Sequence, residues 1–273
     1  MPNVWDAMKK HEAEQAATPP APDSPAPPQS AVVAALAKPQ AVGSVVGPVS
    51  VNGYAPELCT HHDRGGAIAE DFRGLRTNLL AQYPDERFCL LVTSAEKGEG
   101  KTVACLNLSM VLAERQERRT VVVDCDLRAH QVVKLMHMEN APGITDVLHG
   151  KARVEDVLRK TAYPNLLVIP AGDAGKGEIG DLLHRPELEE TVNALRRDFD
   201  YVLFDTPPVG LFPDACMLGR AISDALLIVR MCKTHRETVE SAIRLLHASN
   251  IKPVGVVLTH RTHVIPGFLY YHT

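Results

Sequence analysis

The sequence predicts an α/β protein: a mostly parallel sheet with helices on both faces, in a single domain that follows a long N-terminal tail. Three observations carry this. Short apolar runs rich in strand formers alternate with amphipathic helical stretches, the pattern of a parallel sheet. Two of those runs end on acids, at Asp124 and Asp205. An earlier run, Leu90-Leu91-Val92, leads through a glycine loop into Lys101-Thr102 and then a helical pattern. Strand, glycine loop, Lys-Thr and helix in that order are the context of a phosphate-binding P-loop.

Composition limits what such a domain can do. With 273 residues, 45% hydrophobic and 23% charged, the chain can bury one substantial core and still carry tails. A net charge of −4 argues against a nucleic-acid partner, which would need a broad basic surface. The six cysteines show no Cys-x-x-Cys spacing and no pairing with histidine, as expected for a reduced compartment. There is no secretory pattern at the N-terminus, and no apolar run approaches the roughly 20 residues that span a bilayer. The expected location is the cytoplasm, at the inner face of the membrane only through a partner.

Along the chain, residues 1–60 are expected to be a disordered Pro/Ala-rich region, because Pro19, Pro20, Pro22, Pro25, Pro27, Pro28, Pro39 and Pro48 preclude helix and sheet. The expected domain runs from 61 to 262, with order beginning near Gly66, and a short flexible tail covers 263–273. His61 and His62, without a third ligand nearby, read as surface. Residues 67–80 space Ile68, Phe72, Leu75 and Leu79 on one helical face. Glu70, Arg73 and Arg76 follow at intervals of three on another face, and a local ion pair accounts for them. After the P-loop helix, Val121-Val122-Val123-Asp124-Cys125-Asp126-Leu127-Arg128 reads as a buried strand whose C-terminal end offers two carboxylates. Short helical pieces are expected at 143–150 and 154–158, a strand at 166–169 and a helix at 187–197. Tyr201-Val202-Leu203-Phe204-Asp205-Thr206-Pro207-Pro208 is a strand ending on an acid. Strands at 225–229 and 254–258 flank a helix at 236–249.

In a parallel sheet, ligands bind where the strands end, so Lys101, Thr102, Asp124, Asp126 and Asp205 should converge. The backbone N–H groups of Lys97, Gly98, Glu99, Gly100, Lys101, Thr102 and Val103 are the candidate phosphate cradle, since glycines permit close approach and a helix start favours anions. Lys101 can reach the β- and γ-phosphates, and the Thr102 hydroxyl and Asp205 can hold Mg²⁺. ATP and Mg²⁺ are therefore the expected cofactors. Asp124 and Asp126 together exceed what nucleotide hydrolysis needs: one can assist the metal while the other deprotonates an attacking hydroxyl. A buried structural acid is the competing reading for Asp126.

These motifs resemble the bacterial tyrosine autokinases of exopolysaccharide and capsule synthesis, P-loop proteins related to the septum-site and partition ATPases. The resemblance covers about 70–258 and rests on Ala95–Thr102, Val121–Arg128 and Val202–Pro208, joined by Gly143-Ile144-Thr145-Asp146-Val147-Leu148, Pro213-Asp214-Ala215 and Gly255-Val256-Val257-Leu258. It implies an Mg·ATP-dependent protein-tyrosine kinase in which Thr102, Asp124 and Asp205 serve Mg²⁺ and Asp126 activates the tyrosine. It also implies that Glu70, Arg73 and Arg76 form a subunit contact in a ring, with the phospho-acceptor tail, here Tyr270 and Tyr271, presented to a neighbouring subunit. A membrane-anchored polysaccharide co-polymerase would be the activating partner.

The chain departs from that pattern at several points. Ala95 replaces the first glycine of the general P-loop, and Lys97 stands where the family often has proline. Glu96 occupies the position at which partition-type relatives carry a crossing lysine. Thr259 replaces an asparagine near the base, and two tyrosines stand for the usual cluster. A partition-type ATPase, or a nucleotide-driven assembly switch without tyrosine kinase activity, is the alternative these departures leave open.

Overall fold

The computed structural model describes residues 53–175 and 177–260, so the proline-rich region up to residue 52 and the acceptors Tyr270 and Tyr271 lie outside it. Seven strands form one sheet: β1 (Phe88–Ser94), β2 (Thr120–Asp124), β3 (Arg159–Lys160), β4 (Leu166–Ile169), β5 (Tyr201–Asp205), β6 (Asp224–Arg230) and β7 (Lys252–Thr259). Their order is β3-β4-β2-β5-β1-β6-β7, and every pairing is parallel except β3 against β4. β1, β2, β4 and β5 are buried along their whole length. Helices cover both faces of such strands, which is why they read as unbroken apolar runs rather than as alternation.

The two faces carry separate cores. One packs the sheet against α5 (Ile144–Leu148), α7 (Ile179–Leu183), α8 (Pro186–Asp198), α9 (Asp214–Leu218) and α10 (Arg236–Ala248), through residues such as Leu148, Leu183, Leu195, Leu218 and Leu246. The other packs it against α3 (Lys101–Leu112), α2 (Ala67–Leu80) and α4 (Gln131–Met136). In α3 every residue except Val103 is buried, because α2 covers the side of the helix that faces away from the sheet. Two short helices complete the described residues, α1 (Cys59–His62) and α6 (Val154–Val157).

Three expectations change. Order does not wait for Gly66: Tyr54 and Leu58 are core residues, and the Asn107 side chain on α3 accepts hydrogen bonds from Thr60 N at 2.9 Å and Thr60 Oγ1 at 2.8 Å. A buried Asn must find partners, and α1 supplies them, so 53–60 belongs to the domain. His61 is not a plain surface residue; its ring lies 4.8 Å from that of Tyr54 and 5.8 Å from that of Tyr163. Ile68 remains 50% exposed, because the buried face of α2 centres on Ala69, Phe72 and Leu79 and Ile68 lies at its edge in the first turn.

Candidate active site

The register of the sheet assembles the acids. β5 lies between β2 and β1, with Asp205 opposite Asp124 on one side and opposite Val92 on the other. The two strand-end carboxylates are therefore neighbours beside the loop that follows β1. That loop passes through Gly98 at φ 82° and Gly100 at φ 84°, both left-handed, before α3 starts at Lys101. The φ values, not crowding, require glycine here: a Cβ at Gly98 would meet nothing within 4 Å. Gly210, by contrast, is needed for close approach, since a Cβ there would lie 2.4 Å from the Ala95 carbonyl oxygen.

The loop is an array of open donors. Among the described residues, the backbone N–H groups from Lys97 to Val103 have no acceptor. Glu96 N donates to Glu99 Oε2 at 2.6 Å, and the first bond of the helix runs from Ala104 N to the Gly100 carbonyl at 2.8 Å. A run of unpartnered amides at a helix start is the arrangement that binds phosphate.

Lys101 and Thr102 turn into the acids. Lys101 Nζ donates to Asp126 Oδ2 at 2.7 Å and lies 3.5 Å from Asp205 Oδ2; Thr102 Oγ1 donates to Asp205 Oδ2 at 2.7 Å. Asp126 N donates to Asp124 Oδ1 at 3.1 Å, so the turn after β2 is braced by its own first acid. All five residues are buried. Burial opposes the charge of Lys101, but Asp205, Asp126 and Asp124 outweigh it and hold the ammonium above the usual lysine value. Burial, then the Asp205 carboxylate, pushes Asp124 well above the carboxylate range; burial likewise raises Asp205 against the pull of Lys101 and the Thr102 hydroxyl.

One cation thus faces three acids, and Asp124 Oδ2 and Asp205 Oδ1 are buried without a hydrogen-bond partner. Unsatisfied carboxyl oxygens at zero exposure fit a divalent cation, which would favour their ionised form. Among the described residues no group of three His, Cys, Asp or Glu side chains could hold a metal on its own. Two acids and a hydroxyl would supply only part of a divalent cation's shell, leaving positions for phosphate oxygens or water.

The remaining candidates are placed elsewhere. Lys97 is exposed at the rim and Val103 is partly buried, while the Glu99 side chain is 2% exposed and points into the protein. Glu70, Arg73 and Arg76 sit on α2, away from the phosphate loop, where Arg73 binds Glu70 and Glu114, and Arg76 Nη1 donates to Val111 O at 2.6 Å and to Glu114 Oε2 at 3.0 Å. The sequence left Asp214 without a role. Here its buried carboxylate accepts two 3.1 Å bonds from Arg128, whose guanidinium also lies 4.5 Å from the centre of the Phe212 ring. That brace ties the turn after β2 to the first residue of α9 across 86 residues of sequence, a distance no local pattern bridges.

A mostly parallel sheet with a P-loop after β1 and acids on two neighbouring strand ends defines a nucleotide-binding α/β domain. The AAA-domain family model matches residues 90–249, and the chain belongs to that family. It is 30% identical over 190 residues to the tyrosine-protein kinase Wzc of Salmonella typhi, covering 69% of this chain but 26% of Wzc. It is 29% identical to the tyrosine-protein kinase CpsD of Streptococcus agalactiae, covering 69% of this chain and 81% of CpsD. The kinase domain of Escherichia coli tyrosine kinase ETK has the same fold, with a TM-score of 0.69 at 24% identity over 77% of this chain and 83% of that one. The septum-site-determining protein MinD of Pyrococcus horikoshii, solved with Mg-ADP, aligns with a TM-score of 0.54 at 24% identity over 67% and 75% of the two chains. The resemblance to bacterial tyrosine kinases and their P-loop ATPase relatives therefore holds.

Proposed function

We propose that the chain is an Mg·ATP-dependent protein-tyrosine autokinase. The observation that carries this is the surplus acid: Asp126 stands beside Lys101 in addition to the two strand-end carboxylates with unpartnered oxygens. The names of the relatives, tyrosine-protein kinases, support the same reading.

The residues fit the nucleotide. The open amides of 97–103 and Lys101 would hold the phosphates, and Thr102, Asp124 and Asp205 would hold Mg²⁺. Bound there, the ion would supply charge neutralisation to the phosphate oxygens. The chain's own contribution is positioning and proton transfer. Lys101, turning from Asp126 to phosphate, would leave Asp126 Oδ2 without its 2.7 Å donor and able to accept the proton of an incoming phenol. Burial keeps water away and strengthens each of these interactions.

The tyrosines favour the tail as acceptor. Of six in the chain, Tyr54, Tyr163 and Tyr201 are buried, and Tyr83 donates its hydroxyl to Asp224 at 2.8 Å. Tyr270 and Tyr271 are the other two. Presentation of that tail to a second copy, with Glu70, Arg73 and Arg76 at the subunit contact, is part of the proposal. So are a membrane-anchored activator and a role in polysaccharide synthesis or export. Among the described residues no helix is long and apolar enough to cross a membrane, consistent with an anchor supplied by another protein. The partition-type alternative is disfavoured by Glu96 at the crossing-lysine position and by Asp126.

The test is phosphotyrosine formed with Mg·ATP. Lys101→Met should reduce it by about a thousandfold or more, to background. Undiminished signal in that variant would refute the site.

A further inference from the structure

The geometry points to Glu99 as a positioning residue: its buried carboxylate clamps the phosphate loop onto the end of β6 and the turn beyond it, holding the amide cradle open. The inference rests on the nucleotide reading above.

Glu99 lies between the two left-handed glycines, in the middle of the unpartnered amides. A carboxylate there is unexpected, because its charge opposes the phosphates the loop is built to receive. The side chain resolves this by turning away. Oε2 accepts the Glu96 amide at 2.6 Å; Oε1 accepts the Arg230 amide at 3.1 Å and the Thr234 hydroxyl at 2.5 Å. The backbone of the same residue is held too, since Thr259 Oγ1 donates to the Glu99 carbonyl at 2.6 Å. No cation pairs with this buried acid among the described residues. Its partners are two backbone donors and one hydroxyl, from the start of the loop, the last residue of β6 and the turn after β6.

This arrangement sets where the open donors begin. With its amide directed to Glu99, Glu96 is removed from the cradle, and the run of free N–H groups starts at Lys97. The loop cannot close on itself by hydrogen-bonding its own amides while Glu99 anchors it at β6 and Thr259 anchors it at β7. Through Thr234 the clamp also joins the loop to the exposed turn Met231-Cys232-Lys233.

Three variants test it: Glu99→Ala, which removes both oxygens; Glu99→Gln, which keeps one; and Thr234→Val, which removes one donor at constant shape. Affinity for Mg·ADP is measured by calorimetry well below the melting temperature, and the melting temperature is measured without nucleotide. The clamp predicts Mg·ADP binding weaker by about tenfold or more in Glu99→Ala, with Glu99→Gln and Thr234→Val between it and wild type. A purely structural role would lower the melting temperature and leave affinity unchanged in the folded protein. Unchanged affinity in all three variants beside normal wild-type binding would overturn the clamp alone. Wild type that binds no Mg·ADP would overturn the nucleotide reading and the clamp with it.

Discussion

At its first turn α3 brings Lys101 and Thr102 to Asp124, Asp126 and Asp205; two residues beyond its last turn, Glu114 meets Arg73 and Arg76 of α2. The first cluster is buried, has one cation for three acids and leaves two carboxylate oxygens unpartnered. The second is partly exposed, with two arginines sharing one glutamate while Arg73 also donates to the Arg64 carbonyl and Arg76 to that of Val111. The pKa directions follow. Asp124 and Asp205 are raised, chiefly by burial, whereas Glu114 is lowered, chiefly by its hydrogen bond from Arg73. An acid raised by its surroundings is held at a cost that a ligand can relieve; an acid lowered by its surroundings stabilises the fold as it stands.

The largest effect that separates these ends is kinetic. Asp126→Asn should spare Mg·ADP binding and reduce phosphotyrosine formation by about a hundredfold to ten-thousandfold, measured from initial rates of incorporation. Equal rates would make Asp126 structural and the two ends alike. The next is thermal and depends on pH. Because the folded pKa of Asp124 is raised, its contribution to stability is present below the unfolded value of 3.8 and lost as pH rises through the folded value. Without nucleotide, Asp124→Asn should therefore melt above wild type near neutral pH, and the gap should shrink as pH falls toward 4. For Glu114 the sign reverses: a lowered pKa gives stability that is present above the unfolded value of 4.5 and lost as pH falls through the folded value. Glu114→Ala should melt about 2–4 °C below wild type at neutral pH, converge with it in acid, and bind Mg·ADP normally. The smallest effect is expected at Ile68, which is half exposed: Ile68→Ser should leave monomer stability within about 0.5 kcal/mol by chemical unfolding. A larger loss would mean that α2 packs more widely than on α3.

Much of this was legible in the chain. The expected helix over 67–80 is α2 residue for residue, and each expected strand is present, because buried parallel strands announce themselves as apolar runs. The five residues that converge, Lys101, Thr102, Asp124, Asp126 and Asp205, were legible for a similar reason: each motif is written in contiguous residues, and the sheet topology then brings the motifs together. What stayed hidden depends on contacts distant in sequence. Asn107 looks like an ordinary helix residue until Thr60 arrives to pair with it. Glu99 reads as one more loop amide, because its partners Arg230 and Thr234 lie 131 and 135 residues away. The antiparallel edge β3 has only two residues, too few for a period to show. The arginines of α2 were legible as an ion-pairing set, but their main partner was not Glu70 alone; Glu114, on another element, joins both.

The most direct test of the account is peptide-resolved mass spectrometry of the full chain after incubation with Mg·ATP, for wild type and for the double variant Tyr270→Phe/Tyr271→Phe. The account predicts phosphate on the peptide carrying Tyr270 and Tyr271 in wild type and its loss in the double variant. ATP consumed with no phosphate on any tyrosine would contradict it, and would make the surplus acid part of a nucleotide-driven switch.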